Sequence, residues 1–523
     1  MKAPPRRTFL TFVAPFLLAA LLGSCRSVAG PGGAQPSQPT ASAQTASFAL
    51  RPTNALTSSQ SVSTPSGELP PSRQPTEPAN ETGLPPTPSG PLSADGPWLL
   101  ILRDGSSFWA SNPDGSGLTQ LVDEAHAVYG ALRINRSPKG GLVTYVDETG
   151  QDIPRLRLIS LRDQRVITLA QLLRPDFWPS FEVEDAQGAE LLYAAMQTYA
   201  AVTRSAGVWS KDGHRLAFVG ATDGPSSDLY LYSSTTGQIA RLTDGPTETV
   251  SPVWSPDERY ILHGSATDLN FNASGEGYSM TGVWAARPDG SGAHLVYPLD
   301  YKGFETVLGW ISDTVFLVDS REALMDYSHL RTVDIETGES KSVLNGTYTE
   351  RAFDPETQTL LFIRCDAAAG PAAYLLSLDE GTPRRVLTVE PDCRFRGVIW
   401  SDEAGLFFIE TEEGTASITP KSESPDLGLT PEFFPSIAPA GGLWAVSTDG
   451  VWIGTPQDGF RRLSDWGADL LWRPDGEALY LKRRQSEPGT GFELYVAQSP
   501  EFSPSLLPLD LGVEGWTAIW VQP

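Results

Sequence analysis

The sequence predicts an all-β protein: a single β-propeller of seven to nine blades, each a four-stranded antiparallel sheet. Three observations predict it. A unit of strand, tight turn and strand recurs along the chain at a spacing of about 35 to 55 residues. The 523 residues include 49 Gly, 44 Pro and 14 Trp with only 19% charged, a composition of short strands and turns rather than of a helical solenoid. The two ends of the repetitive region also carry complementary parts of one unit.

The amino terminus comes first. Lys2, Arg6 and Arg7 precede an apolar run at 9–22, interrupted by Pro15 and shorter than the span of about 20 residues that a membrane helix needs. Residues 1–24 therefore read as an export signal. The run ends in Leu22, Gly23, Ser24, Cys25, which resembles the bacterial lipobox and implies a lipidated cysteine, Cys25, as the mature first residue. Cleavage there removes three of the 38 basic residues and none of the 63 acidic ones, taking the formal charge from −25 to −28. Several acyl chains on one cysteine attach a protein firmly where a single chain is marginal. The expected location is extracytoplasmic, at the cell surface or in the periplasm, with the membrane touched only through the lipid.

Residues 25–95 comprise this cysteine and a tether rich in Pro, Ser, Thr, Ala, Gln and Gly. So few apolar side chains cannot offset chain entropy by burial, so the segment is expected to be disordered. As a flexible coil of about 70 residues it reaches about 50 Å.

Residues 96–523 form the body. The clearest copies of the unit are GVWSKDGHRLAFVG (207–220), PVWSPDERYILHGS (252–265) and LLWRPDGEALYLKR (470–483). Proline presets the turn dihedral, Asp bonds its own backbone and Gly takes the positive φ that closes the reversal. Alternating apolar residues then give the next strand its period of two. Five drifted copies lie at 135–146, 308–318, 351–363, 398–409 and 435–446. A third strand such as DLYLYSS (228–234) and a fourth such as IARLTD (239–244) follow, making four strands per unit. Residues 98–123 hold three strands without the leading one, and GWTAIWVQP (515–523) supplies it, so closure by the C-terminal strand joining the N-terminal blade is expected. This composite brings the count to nine candidate units.

The WSPDG turn, the DLYLY strand and the NPDGSGLTQL and RPDGSGAHLV turns (112–121, 287–296) resemble the TolB-type, WD40-like propeller repeats of bacterial envelope proteins. The resemblance covers nearly the whole body and implies a propeller that binds proteins or serves as a scaffold. More than six candidate blades and no separate amino-terminal domain set the chain apart from TolB, so the partners of TolB are not carried over.

Chemistry is sparse. The acidic balance argues against nucleic acid, whose binding draws on clustered cations. There is no GxSxG elbow, no HExxH and no CxxC, and His126, His214, His263, His294 and His329 fall in different units. No catalytic residue, metal or cofactor is assigned. Asp212, Asp257, Asp313, Asp402 and Asp475 read as turn formers, and Trp209, Trp254, Trp310, Trp400 and Trp472 as packing between blades. Cys365 and Cys393 lie 28 residues apart in a compartment that allows disulfides, and both a bridge and two buried thiols fit the sequence.

In a propeller the loops between second and third strands share one face with those joining successive blades. Long insertions there, 172–203, 267–281 and 320–329, place Phe177, Trp178, Asp268, Phe271, Tyr278, Asp326 and Tyr327 around one rim. Aromatics and carboxylates on loops suit a protein or glycan surface. The sequence thus points to a lipid-anchored, non-catalytic scaffold that binds a protein or cell-envelope ligand. The alternative is a propeller hydrolase or lyase that acts on polysaccharide through loop carboxylates.

Overall fold

The computed structural model describes residues 90–127, 135–148, 153–173, 202–203, 206–222, 226–245, 247–267, 279–298, 303–322, 328–348, 351–366, 370–388, 395–411, 414–420, 435–439, 442–484, 491–507, 509 and 515–523. The chain divides into two units, Met1–Asn80 and Glu81–Pro523. The first lies outside the described residues, as do the signal segment and Cys25.

The second unit is a ring of nine blades, eight of four strands and one of three among the described residues. Blade one joins Trp98–Arg103, Ser107–Ser111 and Thr119–Val122 to the chain's last strand, Trp516–Val521. Its register runs antiparallel from Trp98 opposite Val521 to Arg103 opposite Trp516, which is the closure expected from the sequence. Blades two to nine follow in chain order at 135–171, 207–241, 248–298, 303–346, 351–388, 395–418, 436–464 and 469–507. The sequence allowed seven to nine; the ring has nine.

Period-two alternation explains why the strands are apolar throughout. In WLLILR, Trp98, Leu100 and Leu102 pack toward blade two, with Phe108, Tyr145 and Ile159. The intervening Leu99 and Ile101 pack toward blade nine, with Tyr480, Trp516 and Trp520. A blade inside a ring is covered on both faces, so both sets must be hydrophobic. Blade six repeats the pattern: Leu360 and Phe362 face blade five, whereas Leu361 and Ile363 face blade seven. The core is thus a series of layers between neighbouring blades, and between blades seven and eight Phe408 meets Trp444 edge-on at 5.5 Å.

Residues 90–97 run against blade one. Leu92 is buried with Trp98, the amide of Ser93 donates to Asn112 Oδ1 at 2.8 Å, and the Trp98 indole donates to the Ser93 carbonyl at 2.6 Å.

Candidate functional site

The topology gives the ring two faces. Turns between first and second strands, and between third and fourth, end on one, the hairpin face. Connections between second and third strands, and between blades, end on the other, the loop face.

A rim on the loop face is expected from the sequence, and its residues Phe177, Trp178, Asp268, Phe271, Tyr278, Asp326 and Tyr327 all lie outside the described residues. Cys393 does too, and Cys365 sits on the strand Thr359–Asp366 with its side chain outside them. The described margin of this face is held by buried ion pairs. Arg157 Nη1 lies 2.7 Å from the Asp147 carboxylate, Arg241 Nη2 lies 2.6 Å from Asp228, and Arg351 Nη2 lies 2.5 Å from Asp319. All three carboxylates are buried, where an unpaired charge would be costly. The Tyr348 hydroxyl donates to Asp319 at 2.7 Å, and burial, reinforced by that carboxylate, pushes its pKa far above the ordinary tyrosine value.

On the hairpin face the WSxDG turns are closed by their own side chains. The Ser210 hydroxyl donates to Asp212 at 2.6 Å, Asp212 accepts the His214 amide at 2.9 Å, and the Arg215 amide donates to Ser210 Oγ at 2.9 Å. Ser255, Asp257, Arg259 and Tyr260 repeat the pattern. The Ser210 hydroxyl, followed by the His214 amide, holds Asp212 below the usual carboxylate range. For Asp257, burial opposes the shift and is outweighed by the Arg259 and Ser255 hydrogen bonds. For Asp475, burial is likewise outweighed by Arg473 and the Glu477 amide. These aspartates are engaged in making hairpins.

Three of the five repeat tryptophans donate across the blade junction; among the described residues the indole nitrogen of Trp310 is buried without a partner. Trp209 Nε1 donates to Asn135 O at 3.3 Å, Trp254 Nε1 to Val208 O at 3.1 Å and Trp472 Nε1 to Ser436 O at 3.0 Å, each acceptor belonging to the preceding blade. A further bridge forms at the junction of blades three and four. Arg215 lies over the Trp254 ring, 4.9 Å from its centroid, and pairs with Glu258, which also accepts the Lys211 amide at 2.6 Å.

Trp400 departs from this pattern too. Its indole donates to Asp402 of its own hairpin at 2.6 Å, and its ring packs on Phe407 at 4.7 Å. The register also shows that the bridge of blades three and four has no counterpart at the junction of blades six and seven. Trp209, Phe353, Trp254 and Trp400 stand opposite Leu216, Leu360, Ile261 and Phe407, so they occupy equivalent positions. Counting from them, Thr359 replaces Arg215, Pro355 replaces Lys211 and Ala404 replaces Glu258. The bridging arginine, amide and carboxylate are all absent here, as they are at the junctions of blades two and three (Leu142, Pro138, Gly213) and of blades eight and nine (Leu443, Pro439, Gly476). At blades six and seven a cleft of about 310 Å³ lies between the blades.

Its walls are Asp354, Pro355, Glu356 and Thr357 from blade six, with Trp400, Asp402, Gly405, Thr419 and Pro420 from blade seven. Asp354 stands where blades two, three, four and seven carry Ser, is fully buried, and accepts the Glu356 amide at 2.9 Å and the Thr357 hydroxyl. The sequence reads Asp402 as a turn former like Asp212 and Asp257, but it stands two residues after Trp400 where those stand three after Trp209 and Trp254. Glu403 takes the turn position and accepts the Ser401 hydroxyl at 3.0 Å, which leaves Asp402 to the indole. The signal of the cleft was in the FDPE of blade six and in the placement of Asp402 one residue nearer its tryptophan. Among the described residues no three His, Cys, Asp or Glu side chains gather as a metal site.

No family model matches the chain. It is 29% identical over 162 residues to the uncharacterized peptidase YuxL of Bacillus subtilis (strain 168), covering 29% of this chain and 20% of that protein. The chain thus spans about a fifth of the curated relative it matches. Similar solved structures include oligogalacturonate lyase from Vibrio parahaemolyticus, with 16% identity, coverage of 57% of this chain and 75% of that one, and a TM-score of 0.34. A putative TolB from Agrobacterium tumefaciens has 18% identity, coverage of 49% and 79%, and a TM-score of 0.27. A eukaryotic initiation factor has 12% identity, coverage of 82% and 100%, and a TM-score of 0.48.

Proposed function

We propose that this chain is a lipid-anchored extracytoplasmic binding module whose nine-bladed ring captures a protein or cell-envelope ligand without transforming it. One observation carries the binding role: the cleft at the junction of blades six and seven, with an aromatic ring in its wall and carboxylates around it. Concave sites that combine apolar walls with a few polar groups are where ligands are held. The nine blades supply a rigid frame, and the buried arginine pairs hold the loop face in place. The anchor rests on Cys25, and the tether composition gives the body its reach from the membrane.

Two measurements test the reading. Metabolic labelling with a palmitate analogue is expected to mark the wild-type chain and not Cys25→Ala; an unlabelled wild type overturns the anchor. Full-length protein is then offered envelope proteins and glycans, alongside Trp400→Ala and a deletion of 172–203. Capture that weakens at least tenfold in the cleft variant supports the binding site. Capture lost only on the deletion moves the site to the loop face. Turnover of a polysaccharide, abolished by Asp268→Asn or Asp326→Asn, replaces the binding role with the hydrolase or lyase alternative.

A further inference from the structure

The two junctions compared above differ in one chemical respect. At blades three and four the tryptophan face carries a cation from within the chain: Arg215 lies 4.9 Å from the Trp254 ring centroid and its charge is met by Glu258. At blades six and seven the tryptophan persists, Thr359 occupies the arginine position and Ala404 that of Glu258, and carboxylates stand instead at positions that Ser210 and Pro256 hold elsewhere, Asp354 and Asp402. Among the described residues the cleft walls contribute Asp354, Glu356 and Asp402 and no basic residue. Asp354 is fully buried, and its described partners, the Glu356 amide and the Thr357 hydroxyl, are both neutral donors. A buried carboxylate is ordinarily paired with a cation.

We propose that this cleft binds the basic side chain of a peptide partner, with a lysine or arginine taking the place that Arg215 fills at the equivalent junction. The proposal rests on the binding role above and names its ligand class. The shape agrees with the chemistry. Pro355, Pro420 and the Trp400 ring offer apolar surface to a methylene stem, while the exposed Glu356 and Asp402 carboxylates meet the charged head and the buried Asp354 adds its negative field. A cleft of about 310 Å³ is far larger than a bare metal ion needs. The chain shows the same recognition elsewhere: Lys482 Nζ lies 4.4 Å from the Phe492 centroid, 5.0 Å from that of Trp516 and 3.1 Å from the Asp469 carboxylate.

The test is titration calorimetry of the full-length protein with a heptapeptide of alternating glycine and lysine, and with its glutamine counterpart. The lysine peptide is expected to bind and the glutamine peptide to bind at least tenfold more weakly. Asp402→Asn and Trp400→Ala are each expected to raise Kd at least tenfold. Asp449→Asn makes the same charge change on an exposed turn of blade eight and is expected to leave Kd within twofold. Thr359→Arg installs the internal cation and is expected to block the peptide. Because Thr359 is buried, that variant counts only if its unfolding transition matches wild type.

Equal weakening by Asp449→Asn and Asp402→Asn would reduce the effect to bulk acidity and overturn the proposal. Equal binding of both peptides, or of neither, overturns it as well. Capture of an envelope ligand that depends on Trp400 but shows no preference for lysine would overturn the ligand class and leave the binding role standing.

Discussion

The indole N–H of Trp254 donates to the carbonyl of Val208 3.1 Å away, across the junction between blades three and four. Trp209 and Trp472 make the same connection at two other junctions. Each bond ties the first strand of one blade to the preceding blade and so resists opening of the ring. Trp254→Phe keeps most of the buried area and removes the donor, leaving the Val208 carbonyl without this partner. A loss of about 1 kcal/mol is expected in urea unfolding. Trp400→Phe, whose indole bonds within its own hairpin, is expected to leave ring stability closer to wild type.

Closure depends on the last strand. Trp520 is 1% exposed and meets Tyr480 edge-on at 4.8 Å, so it fastens blade one to blade nine. Trp520→Ala is expected to cost about 3–5 kcal/mol, because the hole lies between two sheets that cannot collapse independently. Chemical denaturation followed by tryptophan fluorescence and by far-UV dichroism checks it; unchanged midpoints would mean that the C-terminal strand does not fasten the ring.

Gly213 closes the hairpin of blade three at φ +75°, and a Cβ there would stand 2.6 Å from Ser137 Oγ and 2.9 Å from the Lys139 amide nitrogen of blade two. Gly213→Ala therefore combines backbone strain with a clash between blades. A cost of about 1–3 kcal/mol is expected, read as a lower melting temperature.

Burial lowers the pKa of His263, which is 5% exposed, from 6.5 to about 4. The folded state thus holds a neutral imidazole that the unfolded chain protonates more readily. Stability from this residue is fully present above pH 6.5 and is lost as pH falls toward 4, amounting to about 3 kcal/mol over that window. His263→Gln is expected to flatten the dependence between pH 6.5 and 4. The hairpin aspartates, with carboxylates held below their ordinary range, weaken the fold only at lower pH.

Asp319 faces Arg351 and Tyr348 at once. Asp319→Asn can keep a hydrogen bond to the hydroxyl but leaves the guanidinium uncompensated among buried groups. A loss of about 3–5 kcal/mol is expected, with Asp319→Asn/Arg351→Met recovering part of it.

How much of the ring was legible follows from range. The turn at 209–213 is written in five consecutive residues, and its hydrogen bonds join Ser210, Asp212, His214 and Arg215, so local chemistry reveals it. Even closure could be read, because residues 98–123 lack a leading strand that 515–523 can supply. The cleft was not legible in the same way. Trp400 matches Trp209 and Trp254, and only the packed blades show that its indole turns to Asp402 and that Asp354, Pro355 and Glu356 of blade six wall a cleft with it.

By itself the sequence determined the all-β class, the order of the units, the hairpin chemistry and the strand that closes the ring. These follow from period-two alternation and turn stereochemistry, which act over a few residues. Only the tertiary structure decided the count of nine, which tryptophans lock onto the preceding blade, and where acidic groups gather beside an aromatic ring. Those outcomes depend on side chains about 40 or more residues apart meeting at a blade junction, as Arg215 meets Glu258 and Trp254 meets Val208. A repeat fixes what each blade is, whereas the differences between adjacent repeats decide what the junction between them can hold.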